Sequence, residues 1–108
     1  MTKAVSDFVR VASASDIPDG KMKKVVVGGL QVLVVNVKGK YYAIGNVCTH
    51  MGGPLDRGIL EGNEVQCPWH GSHFDVTSGQ VKKGPAARPE PVYEIRAEAD
   101  GILVRPKQ

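Results

Sequence analysis

Short apolar runs separated by turn residues recur along this chain of 108 residues. Runs of about four to eight residues, alternating or continuous, are typical of β-strands. No segment keeps the 3.6-residue apolar period of a long helix. The pattern therefore predicts an all-β protein, with strand runs at 8–12, 22–27, 30–37, 41–44, 92–96 and 102–105.

Turn residues indicate how these runs are joined. Gly28-Gly29 separates the second run from the third by two residues, which predicts a β-hairpin. Segments 37–40 and 100–101 predict two more turns, and the polar segment 13–19 predicts a turn or one short helical turn. Sequential strands joined in this way form antiparallel sheets. We expect an antiparallel β-sandwich.

The middle of the chain has a different character, because it is irregular and rich in Gly and Pro. Only 64–66 and 72–76 look like strands there. The prolines within and just after 81–90 exclude a central strand or a helix from that segment. We predict one domain, 1–108, in which a subdomain of two facing loops, about 45–80, is inserted into a base formed by about 8–44 and 81–105.

The chemistry-bearing residues are concentrated in that inserted segment. Both cysteines of the chain and two of its three histidines form the motifs C-x-H at 48–50 and C-x-x-H at 67–70. Two thiolates and two imidazoles are the ligand set of a Rieske-type [2Fe–2S] centre, in which two His replace two Cys on one iron. Fewer negative ligands repel an added electron less, so such centres span about −150 to +300 mV, against about −400 mV for plant-type ferredoxins.

Two other interpretations of the four residues stay open. A disulfide between the cysteines would leave both histidines unexplained. A Cys2His2 zinc site would use all four residues, although the C-x-x-C knuckles common in zinc sites are absent from the sequence.

The match extends beyond the ligands. The runs 48–55 and 67–75 resemble the two cluster-binding boxes of Rieske proteins, and Gly84-Pro85-Ala86 resembles their proline loop. The resemblance covers about 8–105. It implies the Rieske-type fold and one [2Fe–2S] cluster per chain. It also implies which residues hold that cluster: Cys48 and Cys67 on the inner iron, His50 and His70 on the outer iron.

Two departures from the family pattern suggest a subclass. Rieske subunits of quinol-oxidising membrane complexes carry an extra Cys in each loop, and those places look like Gly53 and Trp69 here. Their N-terminal membrane anchor has no counterpart. The chain therefore resembles a soluble Rieske-type ferredoxin, such as the electron-transfer component of ring-hydroxylating dioxygenases.

Residues around the ligands are expected to tune and shield the cluster. Ser72 matches a serine that, in high-potential Rieske proteins, hydrogen-bonds a bridging sulfide. Phe74 stands where those proteins have a tyrosine whose hydroxyl reaches a Cys sulfur. We therefore expect a low-to-intermediate potential. Met51, Trp69 and Pro85 of the proline loop are expected to cover the cluster and to form an apolar rim.

Charge and composition limit the partners. The net charge is +3, and no basic run is interleaved with the aromatics that nucleic-acid stacking needs. The basic residues fit a solvated surface or steering toward an acidic redox partner. No run approaches the roughly 18 apolar residues of a membrane span, and the N-terminus lacks a signal peptide. We expect a soluble, cytoplasmic monomer that binds neither nucleic acid nor membrane.

The function expected from these observations is that of a one-electron carrier, not an enzyme. It would pass electrons from a reductase to an oxygenase or similar terminal enzyme. An oxygenase itself would need a second domain for mononuclear iron, and the chain is too short for one. The alternatives are a small iron–sulfur subunit of a larger oxidoreductase, resembling those of nitrite reductase or arsenite oxidase, and a zinc-stabilised binding module.

Overall fold

The computed structural model describes residues 8–98 and 101–106, and most of them lie in antiparallel strands. Two single 3-10 turns, Ala14–Asp16 and Leu55–Arg57, interrupt the strands. The predicted all-β class is confirmed. The strands are β1 Val9–Ser13, β2 Met22–Val27, β3 Leu30–Val37, β4 Lys40–Gly45, β5 Ile59–Glu61, β6 Glu64–Gln66, β7 His73–Asp75, β8 Val81–Lys83, β9 Val92–Glu98 and β10 Gly101–Pro106.

Six strands form the larger sheet, in the order β1-β10-β9-β4-β3-β2. The predicted hairpin is present, with Val25 opposite Val32 and Val27 opposite Leu30. Its two-residue turn needs positive φ at both positions, and Gly28 and Gly29 have φ of 57° and 82°. Of the predicted turn at 100–101, Asp100 lies outside the described residues.

Strand β3 is buried on both faces, which explains its continuous apolar run. Val32 and Val34 belong to one core. The two edge strands of the larger sheet, β1 and β2, contact each other and so close the sheet around this core. Leu33 and Val35 belong to a second core on the opposite face, which also contains Cys48 and Cys67. Each such side chain contributes about 1.5–3 kcal/mol when fully buried. Strand β3 thus contributes side chains to both cores, including the one that contains the two cysteines.

The smaller sheet is formed by β5, β6, β7 and β8 in sequential order. The sequence predicted β6 and β7 but not β5, because three residues, Ile59-Leu60-Glu61, are too few to show a period. β8 is an edge strand, which agrees with the exclusion of a central strand at 81–90. It pairs with β7 rather than with the larger sheet, and the proposed division into base and inserted subdomain stays a prediction.

Candidate metal centre

The two ligand motifs lie in loops with the same backbone hydrogen bonds. The Cys48 N–H donates to the Gly53 carbonyl, and the Gly52 N–H donates to the Cys48 carbonyl, both at 2.8 Å. In the second loop Cys67 donates to Ser72 at 2.8 Å and Gly71 donates to Cys67 at 3.1 Å. In each loop the residue four places after the cysteine has a positive φ, 83° or 80°, which glycine adopts without strain.

These loops direct the thiols inward and the imidazoles outward. Cys48 and Cys67 are 3% and 2% exposed, and both are free. His50 and His70 are exposed, and their ring centroids lie 5.1 Å apart with the planes at 84°. The structure therefore brings all four predicted ligands to one end of the molecule, as a buried pair of sulfurs and an outer pair of nitrogens.

The environment of Cys48 has opposing effects on the charge of its thiol. Burial raises the pKa of its thiol, and the nearby Cys67 thiol raises that pKa further. The backbone N–H groups of His50 and Met51 act in the opposite direction, because they stabilise the thiolate. If Cys48 held a metal, its thiol would be deprotonated, and these same N–H groups would stabilise the negative sulfur.

The arrangement fits a dinuclear cluster better than a single ion. A zinc ion needs its ligands within about 2.0–2.3 Å of one point. Within residues 8–98 and 101–106, no three His, Cys, Asp or Glu side chains converge in that way. A [2Fe–2S] core spreads its four protein ligands over two irons, two on each. Two buried thiols and two outer imidazoles match that division.

Gly53 allows the two loops to approach each other closely. A Cβ atom at this position would lie 2.8 Å from the Cys67 sulfur and 3.1 Å from the Trp69 ring. Residues 53 and 69 are the positions where quinol-oxidising Rieske subunits were expected to carry their extra cysteines. Here Gly53 has no side chain, and the Cys67 sulfur and the Trp69 ring occupy the space beside it.

The two residues predicted to tune the cluster are fully buried beside the thiols. The Ser72 hydroxyl oxygen accepts a 2.9 Å hydrogen bond from the Ala86 N–H, which ties the second ligand loop to the segment resembling a proline loop. Phe74 packs in the same core as Cys48 and Cys67, and its ring offers no hydroxyl. Their influence on a cluster stays a prediction.

The predicted covering residues lie on the surface of the same end. Met51 is 60% and Trp69 is 56% exposed, and Pro85 is exposed beside the buried Ala86. All three side chains are therefore available to form an apolar surface, and their place in a rim around the imidazoles stays a prediction. The remaining histidine, His73, lies on β7, where its Nδ1 is 3.1 Å from the Glu64 carboxylate.

Asn46 supports the first ligand loop, and sequence reasoning missed it. This fully buried residue donates from Nδ2 to the Asp56 carboxylate and accepts at Oδ1 from the Asp56 N–H, both at 2.9 Å. Its backbone carbonyl accepts from Leu55 at 2.8 Å. The signal was an asparagine directly after an apolar strand and two residues before a candidate ligand.

The segment after the proline loop also holds the first ligand loop. The Thr49 hydroxyl donates to the Arg88 carbonyl at 2.6 Å. Glu90 is buried close to Thr49; burial raises the pKa of its carboxyl to about 8, and the Thr49 N–H partly offsets that rise. Nothing in the sequence indicated that Glu90 is buried, because a glutamate between two prolines is typical of the surface.

A comparison with protein families decides the family. The model for the Rieske [2Fe–2S] domain matches residues 7–95. The chain belongs to the Rieske [2Fe–2S] domain family. The predicted family and its cofactor, a [2Fe–2S] cluster, are thereby confirmed, while the assignment of individual ligands remains a proposal.

Relatives of this Rieske protein include both short and long chains. It is 31% identical over 99 residues to the ferredoxin component of the naphthalene 1,2-dioxygenase/salicylate 5-hydroxylase systems of Ralstonia sp, covering 92% of this chain and 95% of the relative. It is 33% identical over 95 residues, 88% of this chain, to human apoptosis-inducing factor 3. It spans only 16% of the length of that human protein.

Solved structures include a chain from the complex of reduced oxygenase and oxidized ferredoxin in carbazole 1,9a-dioxygenase. The TM-score is 0.87 at 29% identity, and the match covers 98% of this Rieske protein and 99% of that chain. These comparisons show a similarity to the ferredoxin component of a dioxygenase system. In the described part of the chain, no helix has the length and apolar character that crossing a bilayer requires.

Proposed function

We propose that this Rieske protein is a freestanding one-electron carrier that takes an electron from a reductase and delivers it to a terminal oxygenase or similar enzyme. The observation that carries the proposal is the pair of matched loops, with thiols buried and imidazoles exposed 5.1 Å apart. Its similarity to a ferredoxin component over 95% of that relative's length supports a carrier without a substrate domain.

In this proposal Cys48 and Cys67 hold the inner iron, and His50 and His70 hold the outer iron. The bound cluster supplies reversible one-electron redox chemistry. The end of the site that contains the two cysteines is buried, so water is excluded from it. Each ligating imidazole has a second ring nitrogen that can carry a proton outward, where it can hydrogen-bond a partner or be lost to water. The exposed apolar surface of Met51 and Trp69 beside these rings suits brief docking.

We also propose that the protein works in the cytoplasm as a monomer, with a reduction potential well below that of quinol-oxidising Rieske proteins. Its two cysteines are free and buried, which suits a reducing compartment. The absence of a hydroxyl on Phe74 favours the lower potential, because one hydrogen bond that stabilises the reduced state is missing.

Histidine substitution provides the test. The protein is purified anaerobically, its iron and acid-labile sulfide are measured, and visible and electron paramagnetic resonance spectra are recorded before and after reduction. His50→Ala and His70→Ala should lose the Rieske spectrum, while His73→Ala, the matched control on β7, should keep it. Native protein without iron and sulfide, or with zinc in their place, would overturn the proposal.

One observation favours a second candidate. Human apoptosis-inducing factor 3, of which this chain spans 16%, shows that a similar domain also occurs within a much longer chain. A small iron–sulfur subunit of a larger oxidoreductase, such as a nitrite reductase or arsenite oxidase, is therefore the alternative. Size-exclusion chromatography of a native extract distinguishes the two, because only the subunit co-elutes with a large partner in constant ratio.

A further inference from the structure

Glu90 is a buried carboxyl group beneath the first ligand loop. The residue is 3% exposed. Its Oε2 has no hydrogen-bond partner, and over the described residues it is the one buried side-chain oxygen or nitrogen in that condition. Its Oε1 lies against the backbone of β4, since a Cβ atom on Gly45 would be 2.6 Å from it. An ionised carboxylate in such a place lacks the solvation and hydrogen bonds that stabilise its charge.

Glu90 is one of the residues that line a cavity of about 200 Å³ at the surface. Its walls combine buried Glu90 and Tyr93 with the exposed side chains of Leu30 and Val47. Tyr93 is the titratable group that faces Glu90, and burial followed by the Glu90 charge raises the pKa of its phenol. The other wall residues, which carry no charge, are Gln31, Gly45, Thr49 and Pro91. No cation of the cavity wall stabilises an ionised Glu90.

The contact that links Glu90 to the metal centre is Thr49. This residue lies between Cys48 and His50, and its N–H is near enough to the Glu90 carboxyl to lower the pKa of that group. The backbone of the same segment is fixed as well, because the Glu90 N–H donates to Gly79 at 2.8 Å and the Thr49 hydroxyl donates to Arg88. A negative charge on Glu90 therefore acts on the first ligand loop, which carries Cys48 and His50, two of the four proposed ligands.

We propose that the Glu90 carboxyl is a proton-binding site coupled to the redox state of the cluster, separate from the imidazoles of His50 and His70. This inference rests on the proposed function, since it requires a cluster held by the two loops. When an electron enters the cluster at mildly alkaline pH, one proton from water binds the ionised Glu90 carboxylate. When the electron leaves, the carboxyl releases that proton.

The coupling follows from electrostatics and is reciprocal. An ionised Glu90 disfavours an added electron nearby, and the added electron disfavours ionisation of Glu90 by the same free energy. We expect reduction to increase the proton affinity of Glu90 about tenfold, because two charges near a protein surface interact at an effective dielectric constant of about 20 instead of the roughly 80 of bulk water. A tenfold change corresponds to about 59 mV for a one-electron couple.

The experiment is a redox titration of the loaded protein as a function of pH, from about pH 6 to about pH 10. Glu90→Gln keeps the shape and removes the ionisation. Glu61→Gln, on the exposed edge strand β5, is the matched control. Wild type and Glu90→Gln should have equal potentials at the acidic end. Above about pH 8 the wild-type potential should fall progressively below that of Glu90→Gln, by about 59 mV at about pH 10, and Glu61→Gln should follow the wild type.

A second measurement covers the case in which Glu90→Gln does not fold. Oxidised-minus-reduced infrared difference spectra of the wild type near pH 8 should show a protonated-carboxyl band that gains intensity on reduction. Coincident titration curves for wild type and Glu90→Gln, or the absence of that band, would overturn the inference while leaving the electron-carrier function intact. Protein that binds no iron would instead refute the proposed function.

Discussion

At the scale of single residues, two buried side chains are expected to tune the electrostatic environment of the sulfurs. Phe74 and Ser72 are both fully buried, one in the core that contains Cys48 and Cys67 and the other hydrogen-bonded to Ala86. In such a dry place one hydroxyl is worth more than it is in water. The identity of these two side chains should therefore affect the reduction potential directly.

Phe74→Tyr should raise the reduction potential. The new hydroxyl would donate to a cluster sulfur and stabilise the reduced state. A hydrogen bond contributes about 0.5–1.5 kcal/mol, which corresponds to about 20–60 mV for one electron. Redox titration of the visible spectrum measures the change. Phe8→Tyr is the matched control, because Phe8 lies on the base beneath Arg96 and Arg105. An unchanged potential in Phe74→Tyr would show that the ring does not point toward a sulfur.

Ser72→Ala should weaken the attachment of the proline loop and lower the potential. Removing the hydroxyl leaves the buried Ala86 N–H without its acceptor, at a cost of about 1–3 kcal/mol. Denaturant titration of the loaded protein and redox titration measure the two effects. Ser78→Ala, in an exposed turn, should change neither. A drop in stability without a drop in potential would mean that Ser72 holds the loop but does not touch the cluster.

At the scale of elements, backbone hydrogen bonds set the conformation of the two ligand loops. The pattern of apolar and polar residues along the chain does not predict such bonds. Each loop is closed by the same pair of hydrogen bonds around its cysteine. Gly53 then lets the two loops pack against each other, and the Asn46–Asp56 hydrogen bonds hold the first loop against the turn Leu55–Arg57. The positions of the four proposed ligands therefore depend on these contacts.

Gly53→Ala should prevent the loops from closing on a cluster. Its Cβ atom would meet the Cys67 sulfur at 2.8 Å, so the second loop would have to move. We expect at least a tenfold loss of iron retained per chain after gel filtration, comparable to the loss caused by disturbing contacts around other metal ligands. Gly84→Ala is the control, since its Cβ atom would have no neighbour nearer than 3.8 Å. Full iron content in Gly53→Ala would contradict the close packing of the loops.

Much of this organisation was predictable, and the exceptions have physical reasons. The β2–β3 hairpin followed from Gly28-Gly29, and the family followed from the two ligand motifs, because both signals are local in sequence. β5 was missed since its three residues owe their conformation to pairing with β6. Asn46 and Glu90 were missed because their burial depends on which distant segments cover them, and a single sequence does not show that.

At the scale of the whole molecule, the chain builds two cores on one strand and carries a net charge of +3. Buried polar groups are few, and Glu90 is the one whose carboxyl has an unpartnered oxygen over the described part of the chain. Because burial holds its pKa near 8 instead of 4.5, the folded protein binds a proton that the unfolded chain has already released. The contribution of Glu90 to the free energy of unfolding then decreases as pH rises from about 4.5 to about 8.

Glu90→Gln should therefore flatten the pH dependence of stability. The contribution of Glu90 to the pH dependence is at most about 1.4 kcal/mol per pH unit within that window. Denaturant midpoints at about pH 5 and about pH 8, followed by circular dichroism, should decline less in Glu90→Gln than in the wild type. Glu61→Gln should decline as the wild type does. Parallel declines in all three proteins would show that Glu90 is already ionised near neutral pH.

The two-sided burial of β3 has a consequence for protein engineering. Val32 and Val34 point into one core, while Leu33 and Val35 point toward the cysteines. Transferring the end of the molecule that carries the proposed ligands to another scaffold would therefore require a host strand that is apolar on both faces. Conversely, selection for a different potential could act through the far side of that strand, by changing side-chain volumes that never contact a ligand.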